Sequence, residues 1–205
     1  MIGVLDLGGG NLASVGYALD RLETAWTLVR TPSQLDAVDA LIFPGVGAAG
    51  AAMAGLRTSG LLPALQVFLR SGRPYLGICL GLQLLFDRSA EDGQPCLGVI
   101  PGRVVRLATW EKVPHTGWNT VESTRWSALL EGVDGEAFYF THSYVAEPLS
   151  GEVACARTTH GVSFVSAVTA GPLAGVQFHP ERSGTAGLRL LRNFAGLSAP
   201  GFDAG

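Results

Sequence analysis

The sequence predicts an α/β fold, with an open, mostly parallel sheet flanked by helices and a smaller antiparallel or mixed sheet in the second half. Over the first eighty residues, apolar strand-like runs alternate with amphipathic segments, the pattern of βαβ units. Later, short β-like runs follow one another with Gly and Pro turns between them, as in hairpins. The 205 residues, 47% of them apolar, suffice for one domain with a substantial core. We expect that domain to span residues 1–198, with a frayed tail at 199–205.

The first half is predicted to contain four strands, because apolar runs of strand length are bounded there by turn residues. The predicted strands are Ile2–Leu7, Ala25–Arg30, Ala40–Phe43 and the run from Tyr75 that leads to Cys79. Apolar residues at helical spacing predict the helices Asn11–Leu22, Leu61–Ser71 and one that begins just after Cys79. A turn at Thr31-Pro32-Ser33 and a small-residue stretch, Ala48–Gly55, complete this half.

The second half is predicted to contain short strands and one closing helix. The strand-like runs are Arg103–Leu107, Ala137–Phe140, Glu152–Arg157, Phe164–Thr169 and Leu173–Gln177. The helix, Thr185–Ala195, places Leu188, Leu191 and Phe194 on one face.

Composition and charge exclude several classes of protein. The net charge of −3 gives no basic footprint for nucleic acid. No apolar run reaches the roughly 18 residues of a membrane span, and the N-terminus is typical of a first strand rather than a signal peptide. The three cysteines are widely spaced without a CxxC pattern, which argues against a disulfide framework or a zinc site. We therefore expect a protein of the reducing cytoplasm without metal.

Cys79 is the candidate nucleophile. It lies between Gly77 and Gly81, where a strand is predicted to turn sharply into a helix. A thiol at that corner projects from the sheet and faces the positive end of a helix, which favours the reactive thiolate. Cys96 and Cys155 lack such a setting, and we expect them to be small buried apolar residues.

His179 is the candidate base, since it directly follows a predicted strand in the order His179-Pro180-Glu181. Active sites of open α/β sheets collect where strands end. Pro180 stiffens the link, so that Glu181 can accept a hydrogen bond from one ring nitrogen and leave the other for the thiol. The alternative is a plain turn in which Glu181 caps the next helix; the combination with the Cys79 corner favours catalysis.

Acyl chemistry also needs donors for an oxyanion. The Leu80 amide lies beside the nucleophile, and the loop Pro44–Gly47 closes a neighbouring predicted strand. The two glycines of that loop allow a peptide N–H to point inward or to turn away, although the sequence alone slightly favours an ordinary β-to-α turn.

A competing motif, Gly8–Ala13, matches the G-x-G-x-x-A pattern of dinucleotide-binding folds. The acidic ribose ligand expected about 20 residues further on is absent, and Arg30 there could instead accommodate a 2′-phosphate. A tight turn with Asn11 capping the following helix explains the motif without a nucleotide.

Two segments combine polar, aromatic and turn residues in unusual order. Lys112–Asn119 is expected to be a loop, and Tyr139–Tyr144 carries hydroxyl groups at a strand end. Substrate contact, partner contact and ordinary packing all fit their spacing.

The residues Leu76–Gln83 (Leu-Gly-Ile-Cys-Leu-Gly-Leu-Gln) and Gly175–Glu181 (Gly-Val-Gln-Phe-His-Pro-Glu) together resemble the class I, triad-type glutamine amidotransferases. Leu5–Asn11, Pro44–Gly47, Lys112–Asn119 and Tyr139–Tyr144 extend the resemblance from Ile2 to about Phe194. It implies a flavodoxin-like open sheet and a triad of Cys79, His179 and Glu181. The implied oxyanion donors are Val46, Gly47 and Leu80, and the implied glutamine-binding residues are Gln83, Ser143 and Tyr144.

The resemblance also implies an activity and a partner. Glutamine would be hydrolysed to glutamate and ammonia through a cysteine thioester, without metal or organic cofactor. The ammonia would pass to a cyclase subunit, a (β/α)₈ barrel, in a heterodimer. The implied partner contacts are Lys112, His115, Trp118, Tyr139 and Arg182, the last at a position where lysine is expected. Two alternatives are a stand-alone cysteine amidase or γ-glutamyl hydrolase, and a nucleotide-binding module that uses Gly8–Ala13.

Overall fold

The computed structural model describes residues 1–197. The predicted end of the domain at residue 198 and the predicted tail at 199–205 lie outside this range. Among the described residues, no helix is both long and apolar enough to cross a lipid bilayer.

The first half contains all four predicted strands, together with a further two-residue strand and two helices that were not predicted, at Arg88–Ser89, Pro32–Asp36 and Ala49–Thr58. Its strands are β1 (Ile2–Leu5), β2 (Trp26–Val29), β3 (Ala40–Gly45), β4 (Tyr75–Cys79) and β5 (Arg88–Ser89). Its helices are α1 (Leu12–Arg21), α2 (Pro32–Asp36), α3 (Ala49–Thr58), α4 (Leu61–Arg70) and α5 (Leu80–Gln83).

The second half is rich in strands. They are β6 (Gly102–Arg106), β7 (His115–Thr120), β8 (Glu122–Ser123), β9 (Ala137–His142), β10 (Tyr144–Pro148), β11 (Ala154–His160), β12 (Val162–Ala170) and β13 (Leu173–Val176). Short 3-10 turns occur at Ala128–Leu130, Gly151–Val153 and Pro180–Arg182, and α6 spans Gly184–Leu197.

One large sheet organises the described chain. Its main path runs β2-β1-β3-β4-β13-β12-β10-β6-β5, while β11 and β8 branch antiparallel from β12. The strands β2, β1, β3, β4 and β13 are mutually parallel. Two buried apolar clusters contain side chains from these strands and from the helices. A separate antiparallel pair, β7 and β9, forms the smaller sheet. The predicted fold class is therefore confirmed.

The centre of the sheet brings distant parts of the chain together. Strand β4 lies between β3 and β13, with Gly45 in register with Cys79 and Gly77 in register with Gly175. Because all three strands are parallel, their carboxyl ends meet at one edge. The residues that follow β3, β4 and β13 are therefore neighbours at that edge.

Glycines allow the close packing beneath this edge. A Cβ atom at Gly81 would overlap the carbonyl oxygen of Phe43, and one at Gly77 would overlap the backbone of Gly81. The Tyr75 hydroxyl donates a 2.9 Å hydrogen bond to the Gly81 carbonyl. The turn after β4 is thus held tightly against β3, and side chains larger than hydrogen are excluded there.

Three local predictions differ from the structure. The predicted turn at Thr31-Pro32-Ser33 begins helix α2, because Thr31 forms a capping box with Gln34 and Pro32 suits the first helical turn. The helix after Cys79 is a single turn, followed by irregular backbone. The predicted loop Lys112–Asn119 contains most of β7, whose partner β9 lies some twenty residues further along the chain and is not visible in local pattern.

Candidate active site

Cys79 ends β4 in an unusual backbone conformation, with φ 53° and ψ −101°. Positive φ in a residue other than glycine costs energy and occurs preferentially at functional sites. The side chain is 6% exposed, and Gln177 Nε2 donates to its Sγ atom at 3.5 Å. The thiol thus lies at a strained turn between β4 and α5 and accepts a hydrogen bond from the neighbouring strand end.

His179 follows β13, and Glu181 lies in the 3-10 turn Pro180–Arg182. The His179 Nδ1 atom is 2.8 Å from the Glu181 Oε1 atom, and the two side chains are 2% and 0% exposed. The backbone N–H of His179 donates to the Tyr139 carbonyl at 2.8 Å, which ties this turn to β9. Glu181 is therefore bonded to the histidine rather than used as a helix cap.

The remaining nitrogen of His179, Nε2, is buried and has no well-formed hydrogen bond to another described residue. Burial alone would lower the pKa of His179, but its interactions with the Cys79 thiol and the Glu181 carboxylate outweigh this and raise that pKa. Since Nδ1 is used by Glu181, Nε2 is the nitrogen that can exchange a proton with Cys79. The structure therefore brings the three predicted triad residues together.

The other two thiols lack such partners. Burial raises the pKa of Cys155 to about 11, and burial together with the Asp92 carboxylate raises the pKa of Cys96 to about 11. Neither cysteine is suited to be a thiolate at neutral pH. In residues 1–197 no group of His, Cys, Asp or Glu side chains is arranged to hold a metal ion.

The Pro44–Gly47 segment approaches the nucleophile directly. A Cβ atom at Gly45 would lie 2.8 Å from the Leu80 Cβ atom. Val46 is 49% exposed, and Gly47 has φ 95° with open space around its Cα atom. The loop predicted to supply oxyanion donors is thus packed beside Leu80 at one end and open at the other.

A pocket of about 260 Å³ opens over Cys79. Its lining includes Gly47, Leu80, Gln83, Ser143 and Tyr144. These are five of the six residues predicted to hold glutamine or the oxyanion; Val46 is not part of the lining.

Gln177 is a site residue that the sequence interpretation missed. It is fully buried, donates to Cys79, and accepts a 3.1 Å hydrogen bond from Gln83 Nε2. The same Gln83 nitrogen donates to the Tyr144 carbonyl at 3.0 Å. The sequence offered one signal for the role of Gln177, since this residue is the polar end of the otherwise apolar predicted strand Leu173–Gln177. Gln83 is therefore fixed within the protein and connects the thiol to the Ser143–Tyr144 segment.

A chain of hydrogen bonds between histidines reaches the same segment. Asn119 Nδ2 lies 3.2 Å from His115 Nε2, His115 Nδ1 lies 3.0 Å from His142 Nε2, and His142 Nδ1 lies 2.9 Å from the Tyr144 carbonyl oxygen. The Asn119 amide nitrogen only donates and the Tyr144 carbonyl only accepts, so both histidines are neutral and each donates in the direction of Tyr144. Burial lowers the pKa of His142 to about 3 and, together with the nearby His160, lowers that of His115 to about 4. We call Asn119, His115 and His142 the histidine chain.

Four of the five predicted partner contacts lie at the surface. Lys112 and Arg182 are exposed, Trp118 is 59% exposed, and Tyr139 is half-buried. The Arg182 guanidinium lies 4.0 Å from the centroid of the Tyr139 ring, which meets Trp118 edge-to-face. His115 is 4% exposed beneath this surface, within the histidine chain, so its side chain is not available for direct contact.

In the Gly8–Ala13 segment the structure contradicts the predicted helix cap, and the candidate phosphate ligand is paired within the protein. Arg30, the candidate phosphate ligand, forms a 2.7 Å ion pair with Asp6, whose other oxygen accepts from the Gly8 amide. The Asn11 side chain makes no cap hydrogen bond to α1. Instead, its Nδ2 atom donates to Glu181 Oε1 at 3.0 Å.

Comparison with known proteins is consistent over nearly the whole chain. The profile of the glutamine amidotransferase class-I family matches residues 4–196. The imidazole glycerol phosphate synthase subunit HisH of Methanothermobacter thermautotrophicus is 48% identical over 95% of this chain and 97% of its own length. The protein of the same name from Moorella thermoacetica is 46% identical over 100% and 98%. A crystal structure described as a glutamine amidotransferase superposes with a TM-score of 0.78 at 27% identity, covering 96% of this chain and 98% of that one.

Proposed function

The chain belongs to the class-I glutamine amidotransferases, and on that premise we propose that it is the glutamine-hydrolysing subunit of imidazole glycerol phosphate synthase. It releases ammonia from glutamine for the synthesis of imidazole glycerol phosphate in histidine biosynthesis. The observation that carries the proposal is the contact of a buried histidine with a thiol on one side and a carboxylate on the other. The high similarity to HisH subunits over full length supports the particular synthase.

The first half of the reaction forms a thioester. The Cys79 thiolate attacks the side-chain amide carbon of glutamine while His179 holds the thiol proton. The negative charge moves to the carbonyl oxygen, where the Leu80 amide and the Val46–Gly47 loop stabilise it. His179 then donates its proton to the amide nitrogen, the C–N bond breaks, and ammonia leaves.

The second half regenerates the enzyme. Water gives a proton to His179 and attacks the thioester carbon. The C–S bond then breaks, the departing sulfur takes the proton back from His179 to give the free thiol, and the new carboxylic acid ionises to glutamate. Glu181 holds the Nδ1 side of His179 throughout and stabilises its charged form. Ser143 and Tyr144 hold the glutamine, and Gln83 fixes the Tyr144 backbone that positions it.

The ammonia must reach a second active site. Ammonia in neutral water is mostly ammonium, which is not a nucleophile, so a sealed path to the partner is chemically required. We propose a heterodimer with the cyclase subunit of the synthase, a (β/α)₈ barrel, docked over Lys112, Trp118, Tyr139 and Arg182. The cyclisation and its lyase step, which release imidazole glycerol phosphate and an aminoimidazole carboxamide ribotide, belong to that partner. A cytoplasmic location suits such a biosynthetic complex and the unpaired thiols.

The decisive experiment replaces the thiol in the assembled complex. In Cys79→Ala, glutamine-dependent turnover should vanish while ammonia-dependent turnover persists. Cys96→Ala is the matched control, since it removes a thiol that the mechanism does not use, and it should keep both activities. Survival of glutamine-dependent turnover in Cys79→Ala would refute the proposed chemistry.

The two alternatives make different predictions. A stand-alone amidase or γ-glutamyl hydrolase would reach full activity without any partner. A nucleotide-binding module would be stabilised against heat by micromolar NADPH. The Arg30 Nε atom is already paired with the Asp6 carboxylate, which argues against this second alternative.

A further inference from the structure

Asn11 stands where an asparagine normally caps a helix, but its side chain serves another purpose. At the position before α1, asparagine usually accepts a hydrogen bond from an amide of the first turn. Asn11 has φ −84° and ψ 47° and makes no such bond. Its Nδ2 atom donates to Glu181 Oε1 at 3.0 Å, across 170 positions of sequence. Helix capping therefore does not explain the asparagine of the motif Gly8–Ala13.

The acceptor of this bond is a carboxylate with few partners. The Glu181 side chain is 0% exposed, and its Oε2 atom has no hydrogen-bond partner among the described residues. Its Oε1 atom accepts from His179 Nδ1 at 2.8 Å and from Asn11 Nδ2 at 3.0 Å. A buried carboxylate is costly unless donors compensate it, and Asn11 supplies a second donor beside that of His179. Two donors on one oxygen also fix the rotation of the carboxylate.

The turn that carries Asn11 is itself rigidly held. Gly8 and Gly10 adopt φ 83° and 97°, and the Gly8 amide donates to Asp6, which is paired with Arg30. A Cβ atom at Gly10 would lie 3.4 Å from the Pro44 carbonyl oxygen, so the turn also packs against the loop beside Leu80. The first β-to-α turn thus contacts the triad carboxylate through one residue and the oxyanion loop through the one before it.

We infer that Asn11 is a positioning residue of the glutaminase reaction: its amide orients the Glu181 carboxylate and, through it, the His179 ring. This inference rests on the proposed function and extends it to a residue outside the triad. Misplacing a catalytic group by about 1 Å can cost about a hundredfold in rate.

The test measures glutaminase activity of the full chain assembled with a cyclase subunit. Asn11→Ala removes the donor, and we expect kcat to fall about tenfold to a hundredfold with KM for glutamine changed less than about threefold. Asn11→Asp keeps the shape but replaces the donor by a second carboxylate, so kcat should fall at least as far as in Asn11→Ala. A role limited to filling space predicts instead that the isosteric Asn11→Asp retains activity.

Asn193→Ala is the matched control. The Asn193 amide, on α6, also donates hydrogen bonds within the fold, at 3.0 Å to the Leu129 carbonyl and 2.9 Å to the Glu131 carbonyl, and neither acceptor belongs to the triad. It should lower stability without lowering kcat. Ammonia-dependent turnover should be unchanged in the Asn11 variants, which shows that the fold and the complex are intact.

A spectroscopic readout separates positioning from general damage. The His179 Nδ1–H proton, bonded to Glu181, should give a downfield NMR resonance that shifts in Asn11→Ala and not in Asn193→Ala. A kcat within twofold of wild type in Asn11→Ala, or full activity in Asn11→Asp, overturns the inference. A wild-type complex without any glutaminase activity would instead overturn the proposed function.

Discussion

Acid should destabilise this protein through His142, which the fold keeps neutral. Burial lowers the pKa of His142 to about 3, against an ordinary value of 6.5. Above pH 6.5 the folded and unfolded chains bind the same number of protons at this site. As the pH falls below 6.5, the unfolded chain takes up a proton that the folded chain does not, so the free energy of unfolding decreases.

The size of the effect follows from the shift. One proton contributes about 1.4 kcal/mol per pH unit, so between pH 6.5 and pH 5 His142 alone lowers the free energy of unfolding by about 2 kcal/mol. For a domain of this length that corresponds to about 4–8 °C in Tm. His115, with its pKa lowered to about 4, adds to the loss in the same direction.

His179 acts in a different pH window. The pKa of His179 is raised in the folded protein, so its protonation contributes fully to the free energy of unfolding below the ordinary pKa of 6.5. This contribution is lost as the pH rises from that value toward the pKa of the folded state. It therefore contributes little slope between pH 6.5 and pH 5. Stability should be greatest near pH 6.5, with losses on both sides.

The assay is thermal unfolding followed by circular dichroism at pH 8, 7, 6.5, 5.5 and 5. His142→Gln is the comparison variant, since glutamine retains a donor and an acceptor but does not titrate. The stability of the variant at pH 8 gives the cost of the substitution itself. Below pH 6.5 its free energy of unfolding should fall less steeply with decreasing pH than that of the wild type, by an amount that corresponds to the uptake of about one proton. Equal slopes in the two proteins, or a wild-type Tm that is constant from pH 6.5 to pH 5, would refute the assignment of a neutral buried His142.

Two substitutions test the corner and the triad carboxylate. Gly81→Ala should lower the free energy of unfolding by about 1–3 kcal/mol or more, seen as a loss of about 2–12 °C in Tm, because the added Cβ atom would overlap the Phe43 carbonyl. In the control, Gly196→Ala, the Cβ atom meets open space in helix α6, and the substitution should be neutral or stabilising by about 0.4–1 kcal/mol. Equal effects of the two substitutions would contradict the packing argument. Glu181→Gln should lower glutaminase kcat at least about a hundredfold by removing the charge that orients His179, and an unchanged kcat would exclude that role.

Local pattern predicted most of the fold because the first half is built from βαβ units. Strands β1 to β4 are apolar runs bounded by turn residues, and helices α1 and α4 each show one apolar face, so both periods are visible in sequence. Helix α3 was not predicted, because its alanines and glycines give no clear apolar face. Strand β7 was missed because its pairing with β9 is non-local, and its residues are half polar. The segment Thr31–Ser33, predicted as a turn, begins a helix instead. The sequence could not distinguish the two, because Thr and Pro are common both in turns and at the start of helices.

The candidate site was predictable where a reactive side chain lies in a distinctive local sequence. Cys79 between glycines and His179 before Pro180 and Glu181 are local signals, and the structure brings them together. The polar network behind them was not predictable, because it joins residues far apart. Gln177 bonds Cys79 and Gln83, while Asn11 bonds Glu181, and neither contact leaves a trace in spacing.

The pairing of β4 with β13 has a consequence for protein synthesis. The thiol at the end of β4 emerges from the ribosome about a hundred residues before the imidazole that follows β13, a delay of about 5–20 s at ordinary translation rates. During that interval the nascent polypeptide carries a sulfur without its base. Under the proposed mechanism, an unfinished or prematurely terminated chain should therefore not hydrolyse glutamine, because it lacks the last parallel strand and the histidine that follows it.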